Sequence, residues 1–182
     1  HLLSRRQRQM CIRDRENTME QLSGKHVSDS FTQHVQAVMP NHLNGAGRIF
    51  GGQLAMWIDM VGGIAARRHC NHNVTTAAID NLQFRKPVHQ NDVIVMHAKV
   101  TYVGHTSMEV RVDTFVEDLQ GVRTLVNTAY LTEVALDENG HPTPAPPLIC
   151  DTMQEKAEYE AGRRRRSRRR QQNDYAEDGE QG

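Results

Sequence analysis

No stretch of about 18 consecutive apolar residues occurs anywhere in the 182 residues, which excludes a membrane-spanning helix. Cysteine is scarce: Cys11, Cys70 and Cys150 form no CxxC pair. Three scattered cysteines argue against a disulfide scaffold and for a reducing compartment, so the expected location is cytoplasmic. Neither GxSxG nor an ordered Ser/His/Asp set is present, which removes the common serine-hydrolase arrangement. "HCNH" (His69 to His72) holds ligand-type residues but has no second pair at metal spacing, so no metal is expected. Net charge is also lacking, at a formal +0, but that zero is a cancellation. Five of the 22 Lys+Arg precede residue 16 and seven lie in the run Arg163 to Arg170, so residues 16–162 hold ten, against 17 Asp+Glu. The body is therefore acidic, at about −7. Such a body does not invite nucleic acid, and an anionic ligand would have to be held by local basic residues.

What is present divides into three parts. The opening stretch, "HLLSRRQRQMCIRDRENTM", has basic residues but no apolar core of a secretory signal. Residues 1–18 are read as a non-native or disordered leader, with Met19 as the expected start. Residues 19–160 are read as one folded domain, and 161–182 as a charged, disordered tail. Inside the domain, residues 31–39 alternate and read as a strand ended by Pro40. From Gly52 to about His69, Leu54, Trp57, Ile58, Val61, Ile64 and Ala65 recur at helical spacing and predict a helix with one buried face. Gly62 and Gly63 in its middle suggest close packing against another backbone. Residues 74–88, 92–104, 106–118 and 122–136 then read as long strands separated by short turns, hence antiparallel neighbours. Strand, helix and four long antiparallel strands give an α+β architecture, one helix against a strongly curved sheet. Residues 151–161 have helix-forming composition.

The most unusual stretch is "NGAGRIFGGQLAMWID", Asn44 to Asp59, in which a glycine-rich loop feeds the helix and the helix carries an acid. The series Asn44, Gly47, Ile49, Phe50, Gly51, Gly52 and Asp59 resembles the single-hotdog acyl-CoA thioesterases of the YciA/YkhA type. "FRKPV" (84–88), "NDV" (91–93) and "VGHTSM" (103–108) follow in that family's order and spacing. The resemblance covers roughly residues 30–160. Asn91 departs from it, standing where the family usually has Gly. The resemblance implies a hotdog fold, one long central helix wrapped by a curved antiparallel β-sheet. It further implies thioester hydrolysis, with acyl-CoA as substrate and no cofactor beyond the CoA that the substrate carries.

Hydrolysis of a thioester needs an activated water, a place for the developing oxyanion and a grip on the substrate. Asp59 is the candidate for the first. Burial on a helix face would raise its pKa, and it could act as general base or attack directly as nucleophile. The helix N-terminus at Gly51, Gly52 and Gln53 offers amides and a dipole to polarise the carbonyl. Gly52 and Asp59 share a helix face but lie about 10 Å apart at ~1.5 Å per residue. Both can act on one carbonyl only if two antiparallel helices of a dimer share the site. The family match adds Asn44 as a polar partner for water or substrate. It puts CoA contacts near Arg85 and Lys86 and near the "GHTS" turn, Gly104, His105, Thr106 and Ser107; Arg48, apart from the match, is a further candidate cation. By resemblance the assembly is a homo-oligomer, a dimer of hotdogs at least and expected to be a hexamer. Two other readings stay open. One is a hotdog dehydratase of 3-hydroxyacyl thioesters with His42 as base. The other is a non-catalytic acyl-CoA- or RNA-binding module using the arginine run.

Overall fold

The computed structural model describes residues 22–80 and 82–179, so the leader at 1–18 lies outside the described residues. In chain order the elements are β1 (Lys25–His26), α1 (Val27–Ser30), β2 (Thr32–Ala37), a 3₁₀ turn (Pro40–His42) and the central helix α2 (Gly51–Cys70). After these come β3 (Asn73–Asp80), β4 (Val93–Val103), β5 (Ser107–Glu117), β6 (Arg123–Leu136), β7 (Leu148–Ile149) and α3 (Met153–Gly179).

Five strands form one antiparallel sheet in the order β2-β4-β5-β6-β3, and α2 packs across its concave face. This is the hotdog architecture expected from the resemblance. Leu54, Ile58, Val61 and Ala65 on α2 are fully buried against Ile94, Met96, Val110, Val112, Ala129 and Leu131 of the sheet. Period-3.6 burial on the helix meets period-2 burial on the strands, which is how an amphipathic helix and a half-buried sheet share one core. Gly62 lies in that contact: a Cβ there would come within 2.7 Å of Leu131 Cδ2. The reading of the Gly62–Gly63 pair as a close approach therefore holds at Gly62. At Gly63 the nearest atom is Val74 Cγ2 at 3.9 Å, an ordinary contact.

Several sequence expectations need correction. The run 74–88 is strand only to Asp80; Phe84 to Pro87 are exposed loop. That strand also crosses the sheet to pair with β6 rather than its chain neighbour β4, so β3 becomes an edge. Periodicity carries no information on which strands pair, and the 81–92 connection is long enough to cross. Ile64 is not on the buried face but 39 % exposed, in a second stripe with Met56 and Met60 at 56 % and 43 %. Asn91 has φ 67°, the left-handed conformation that explains why glycine would suit this turn.

The largest correction concerns the arginine run. It is not a structureless tail: it belongs to α3, whose inner face lies on the convex side of the sheet. Residues 158, 162, 165, 166 and 169 recur at three- and four-residue intervals and meet outward-facing side chains of β4 to β6. Arg165 donates to both carboxylate oxygens of Glu109 at 3.0 and 2.8 Å and to Glu158 at 2.8 Å, and its guanidinium lies 3.8 Å over the Tyr130 ring. Arg169 pairs with Asp80, and Gly162 lets the helix approach until a Cβ there would meet Tyr102 at 2.7 Å. The charges are ordered by a buried partner, Glu109, which lies far away in the chain.

Candidate active site

The loop before α2 is built by Asn44. Its Oδ1 accepts from the amides of Ala46 at 2.9 Å and Arg48 at 3.2 Å, an Asx-type closure that leaves Nδ2 as the outward donor. Gly47 sits at φ 70°, in the left-handed region that glycine enters with no Cβ penalty. Phe50 caps the helix with its carbonyl, which accepts from Gln53 at 2.9 Å and Leu54 at 3.2 Å. Gln53 is thus removed from the expected set of free amides. The Gly51 and Gly52 amides have no backbone acceptor among the described residues and remain at the positive end of the helix dipole.

Asn44, Arg48, Gly51, Arg85 and Lys86 line one cavity of about 360 Å³, whose apolar wall includes Leu54, Phe84 and Val126. Two bonds hold the 82–92 loop over it: Asn127, fully buried, donates from Nδ2 to the Gln83 carbonyl at 2.8 Å, and Arg85 donates its amide to the Val126 carbonyl at 3.0 Å. Arg85 and Lys86 are exposed, and among the described residues neither meets a carboxylate.

Asp59 lies two turns further along α2, half-buried, and does not line that cavity. Its Oδ1 accepts from Thr76 Oγ1 on β3 at 2.6 Å. Thr76 Oγ1 is also 3.0 Å from Oε1 of Glu133, its cross-strand partner on β6. The deeply buried carboxyl of this pair is Glu133, not Asp59. Glu133 is 0 % exposed, its Oε2 has no partner among the described residues, and burial foremost, with the Asp59 charge behind it, pushes its pKa up to about 7 against the opposing Thr76 bond.

Gly104, His105, Thr106 and Ser107 form the β4–β5 turn. Their backbone groups are engaged: Gly104 donates to Ser107 at 2.7 Å, while Thr106 and His105 accept from Ala135 and Ala145, each at 2.9 Å. Ser107 lines a separate cavity of about 250 Å³ with Tyr102, Arg166 and Arg169. Within one chain the expected site residues therefore fall in three groups: the helix-start cavity, Asp59 with Thr76 and Glu133, and the 104–107 turn.

Thr76 and Glu133 were not among the residues singled out in the sequence. Glu133 did leave a signal, being a charged residue in the inward phase of Ala129, Leu131 and Ala135. Thr76 left none, because a threonine in a strand is ordinary. His42 is occupied: its Nδ1 accepts from the Met39 amide at 3.0 Å and its ring stacks edge-on to Trp57 at 4.9 Å.

Residues 46–122 match the Thioesterase superfamily. The acyl-CoA thioester hydrolase YkhA of Bacillus subtilis is 38% identical over 138 residues, covering 75% of this chain and 80% of that protein. The chain belongs to the YkhA-type acyl-CoA thioester hydrolase family. The family reaches into mammals: the cytosolic acyl coenzyme A thioester hydrolase of Rattus norvegicus is 33% identical over 76% of this chain, which spans 37% of that protein. Among solved structures, the acyl-CoA hydrolase of Staphylococcus aureus, in complex with butyryl coenzyme A, coenzyme A and coenzyme A disulfide, superposes with a TM-score of 0.79 at 32% identity. It covers 85% of this YkhA-type chain and 94% of its own. Variants of that hydrolase with an asparagine, an aspartate or a threonine replaced by alanine have also been solved. A hexameric thioesterase of Yersinia pestis matches at TM-score 0.59 and 31% identity over 68% of this chain and 96% of that one.

Proposed function

We propose that this chain hydrolyses acyl-CoA to free CoA and a carboxylic acid, with Asp59 as the reacting carboxylate. The observation that carries the reading is Asp59, fixed by Thr76 of β3 and on the same helix face as Gly52, with the Gly51 and Gly52 amides free among the described residues. The altered asparagine, aspartate and threonine of the Staphylococcus aureus hydrolase stand at the same mutual spacings as Asn44, Asp59 and Thr76 here.

Gly52 and Asp59 lie about 10 Å apart along the helix, so one chain does not bring both to one carbonyl. Met56, Met60 and Ile64 form an exposed apolar stripe beside Asp59, and β3 offers an unpaired edge among the described residues. Both features suit a two-fold dimer in which antiparallel α2 helices face each other. Asp59 of one subunit then works opposite the Gly51–Gly52 amides and Asn44 of the other. The hexameric relatives support a trimer of such dimers.

In the reaction, Asp59 takes a proton from water as it attacks the thioester carbon, or attacks that carbon itself and is released by water. The carbonyl oxygen gains negative charge against the glycine amides. The C–S bond then breaks, and the CoA thiolate takes the proton that Asp59 holds or, on the direct-attack route, one from water. Arg48, Arg85 and Lys86 meet the substrate phosphates near the helix start, with further contacts at Gly104, His105, Thr106 and Ser107. No cofactor takes part. The dehydratase reading loses its base, since His42 is held by Met39 and Trp57.

CoA release from short- to long-chain acyl-CoAs, measured for wild type and Asp59→Asn, tests this. Activity in wild type and a loss of about 10³-fold or more in the variant, with the oligomer intact, is the expected outcome. A variant nearly as fast as wild type removes Asp59 from the chemistry. An inactive wild type removes the hydrolase reading.

A further inference from the structure

Thr76 Oγ1 faces two carboxyl oxygens, Asp59 Oδ1 at 2.6 Å and Glu133 Oε1 at 3.0 Å. A hydroxyl has one proton to donate. Both contacts are hydrogen bonds only if one of the two carboxyls is itself protonated and donates to Thr76. We propose that Glu133 is a positioning residue of the Asp59 site: as the neutral acid it donates its proton to Thr76 Oγ1 and so commits the Thr76 proton to Asp59. The proposal rests on Asp59 being the reacting carboxylate.

Burial assigns the proton. Glu133 is fully enclosed, with an Oε2 that has no partner among the described residues, a setting in which a charge is costly, whereas Asp59 is only half-buried. The groups facing Glu133 are Asp59 from α2, Thr76 from β3 and Met108 from β5, and on β6 the inward neighbours are Leu131 and Ala135. Asp59 is the only charged group among them, and its sign also favours the neutral acid. The pKa of about 7 agrees with this placement. With Glu133 neutral, Asp59 Oδ1 is tied down in one orientation and Oδ2 is left for water or the thioester. When Glu133 ionises, two carboxylates compete for one hydroxyl proton, and Asp59 loses its fixed partner.

The test compares wild type, Glu133→Gln and Glu133→Met, in kcat and KM, between pH 5.5 and 8.5 on the acyl-CoA that wild type turns over fastest. A glutamine amide donates to Thr76 at every pH and stands in for the neutral acid; methionine donates nothing. The kcat of Glu133→Gln should follow wild type at pH 5.5 and exceed it several-fold at pH 8.5, with KM little changed. Glu133→Met should lose about tenfold in kcat at pH 5.5, the worth of one hydrogen bond. In a Thr76→Val background the Gln and Met variants should become equivalent. A Gln-to-wild-type ratio constant across the range, a Gln variant as impaired as Met, or a Gln–Met difference that survives Thr76→Val overturns the proposal. Should wild type hydrolyse no acyl-CoA, the enzymatic reading fails on its own, and carboxyl ¹³C NMR of glutamate-labelled wild type still decides the proton's place. A carboxyl titrating near pH 7 and missing in Glu133→Gln is expected; a Glu133 already ionised at pH 5.5 overturns the assignment.

Discussion

Two buried titratable side chains, Glu133 and His69, pull stability in opposite directions with pH. Glu133 is held at about 7 in the fold against 4.5 unfolded. Between these values the folded chain keeps a proton that the unfolded chain has released. Its contribution is therefore full below pH 4.5 and lost as pH rises to 7, a difference on the order of 3 kcal/mol. Glu133→Gln should accordingly be more stable than wild type at pH 8 and gain little at pH 4.5, read as urea midpoints. His69 is fully buried, with Nε2–H donating to the Pro146 carbonyl at 2.8 Å, and burial depresses its pKa below 6.5. Its contribution is present above pH 6.5 and lost as pH falls below that value. At this scale the sequence could single out Asp59, Asn44, Gly51 and Gly52 as candidates because they sit close together in a dense motif. Thr76 and Glu133 come from separate strands, and only the pairing of β3 with β6 brings them together beside Asp59.

Among the elements, α2 is defined by its spacing and by the tight contact at Gly62. A valine there forces the fully buried Leu131 aside, so Gly62→Val should cost about 2 kcal/mol as overpacking. Leu131→Ala alone leaves a cavity and should cost about 2–5 kcal/mol. The double variant should cost less than the sum, because the added methyls fill the vacated space; additive denaturation midpoints would show that the two do not touch. The α3 helix was misread because arginine-rich sequence resembles a solvated tail. Glu109, 1 % exposed in its side chain, reverses that by binding Arg165 two ways. Arg165→Ala should lower stability on the order of 2 kcal/mol, less than the ~3–5 for a fully stranded charge because Arg169 remains 3.7 Å from Glu109. Replacing the pair together, Glu109→Met with Arg165→Met, should recover most of the loss. Equal loss in single and double variants would assign the effect to packing instead.

At the scale of the whole molecule, arginines of α3 pair with carboxylates of the acidic body within one fold, Arg165 with Glu109 and Arg169 with Asp80. In the proposed dimer, the exposed Met56, Met60 and Ile64 stripe and the edge of β3, unpaired among the described residues, form the shared face. Met60→Glu would bury a charge there, so it should shift the assembly toward monomer by light scattering and abolish CoA release together with it. A monomer that keeps full activity would show that one chain holds a complete site.

The sequence by itself determined the glycine-fed helix, the alternation of the strands and the acid on the helix face. Each follows from a local period or a local conformational need. Tertiary structure alone decided that β3 crosses to β6, that the arginine run becomes a helix on Glu109, and that Glu133 meets Asp59 through Thr76. Those outcomes depend on contacts between residues 17 to 63 positions apart, where burial and proton sharing are set by the enclosing fold rather than by neighbours in the chain.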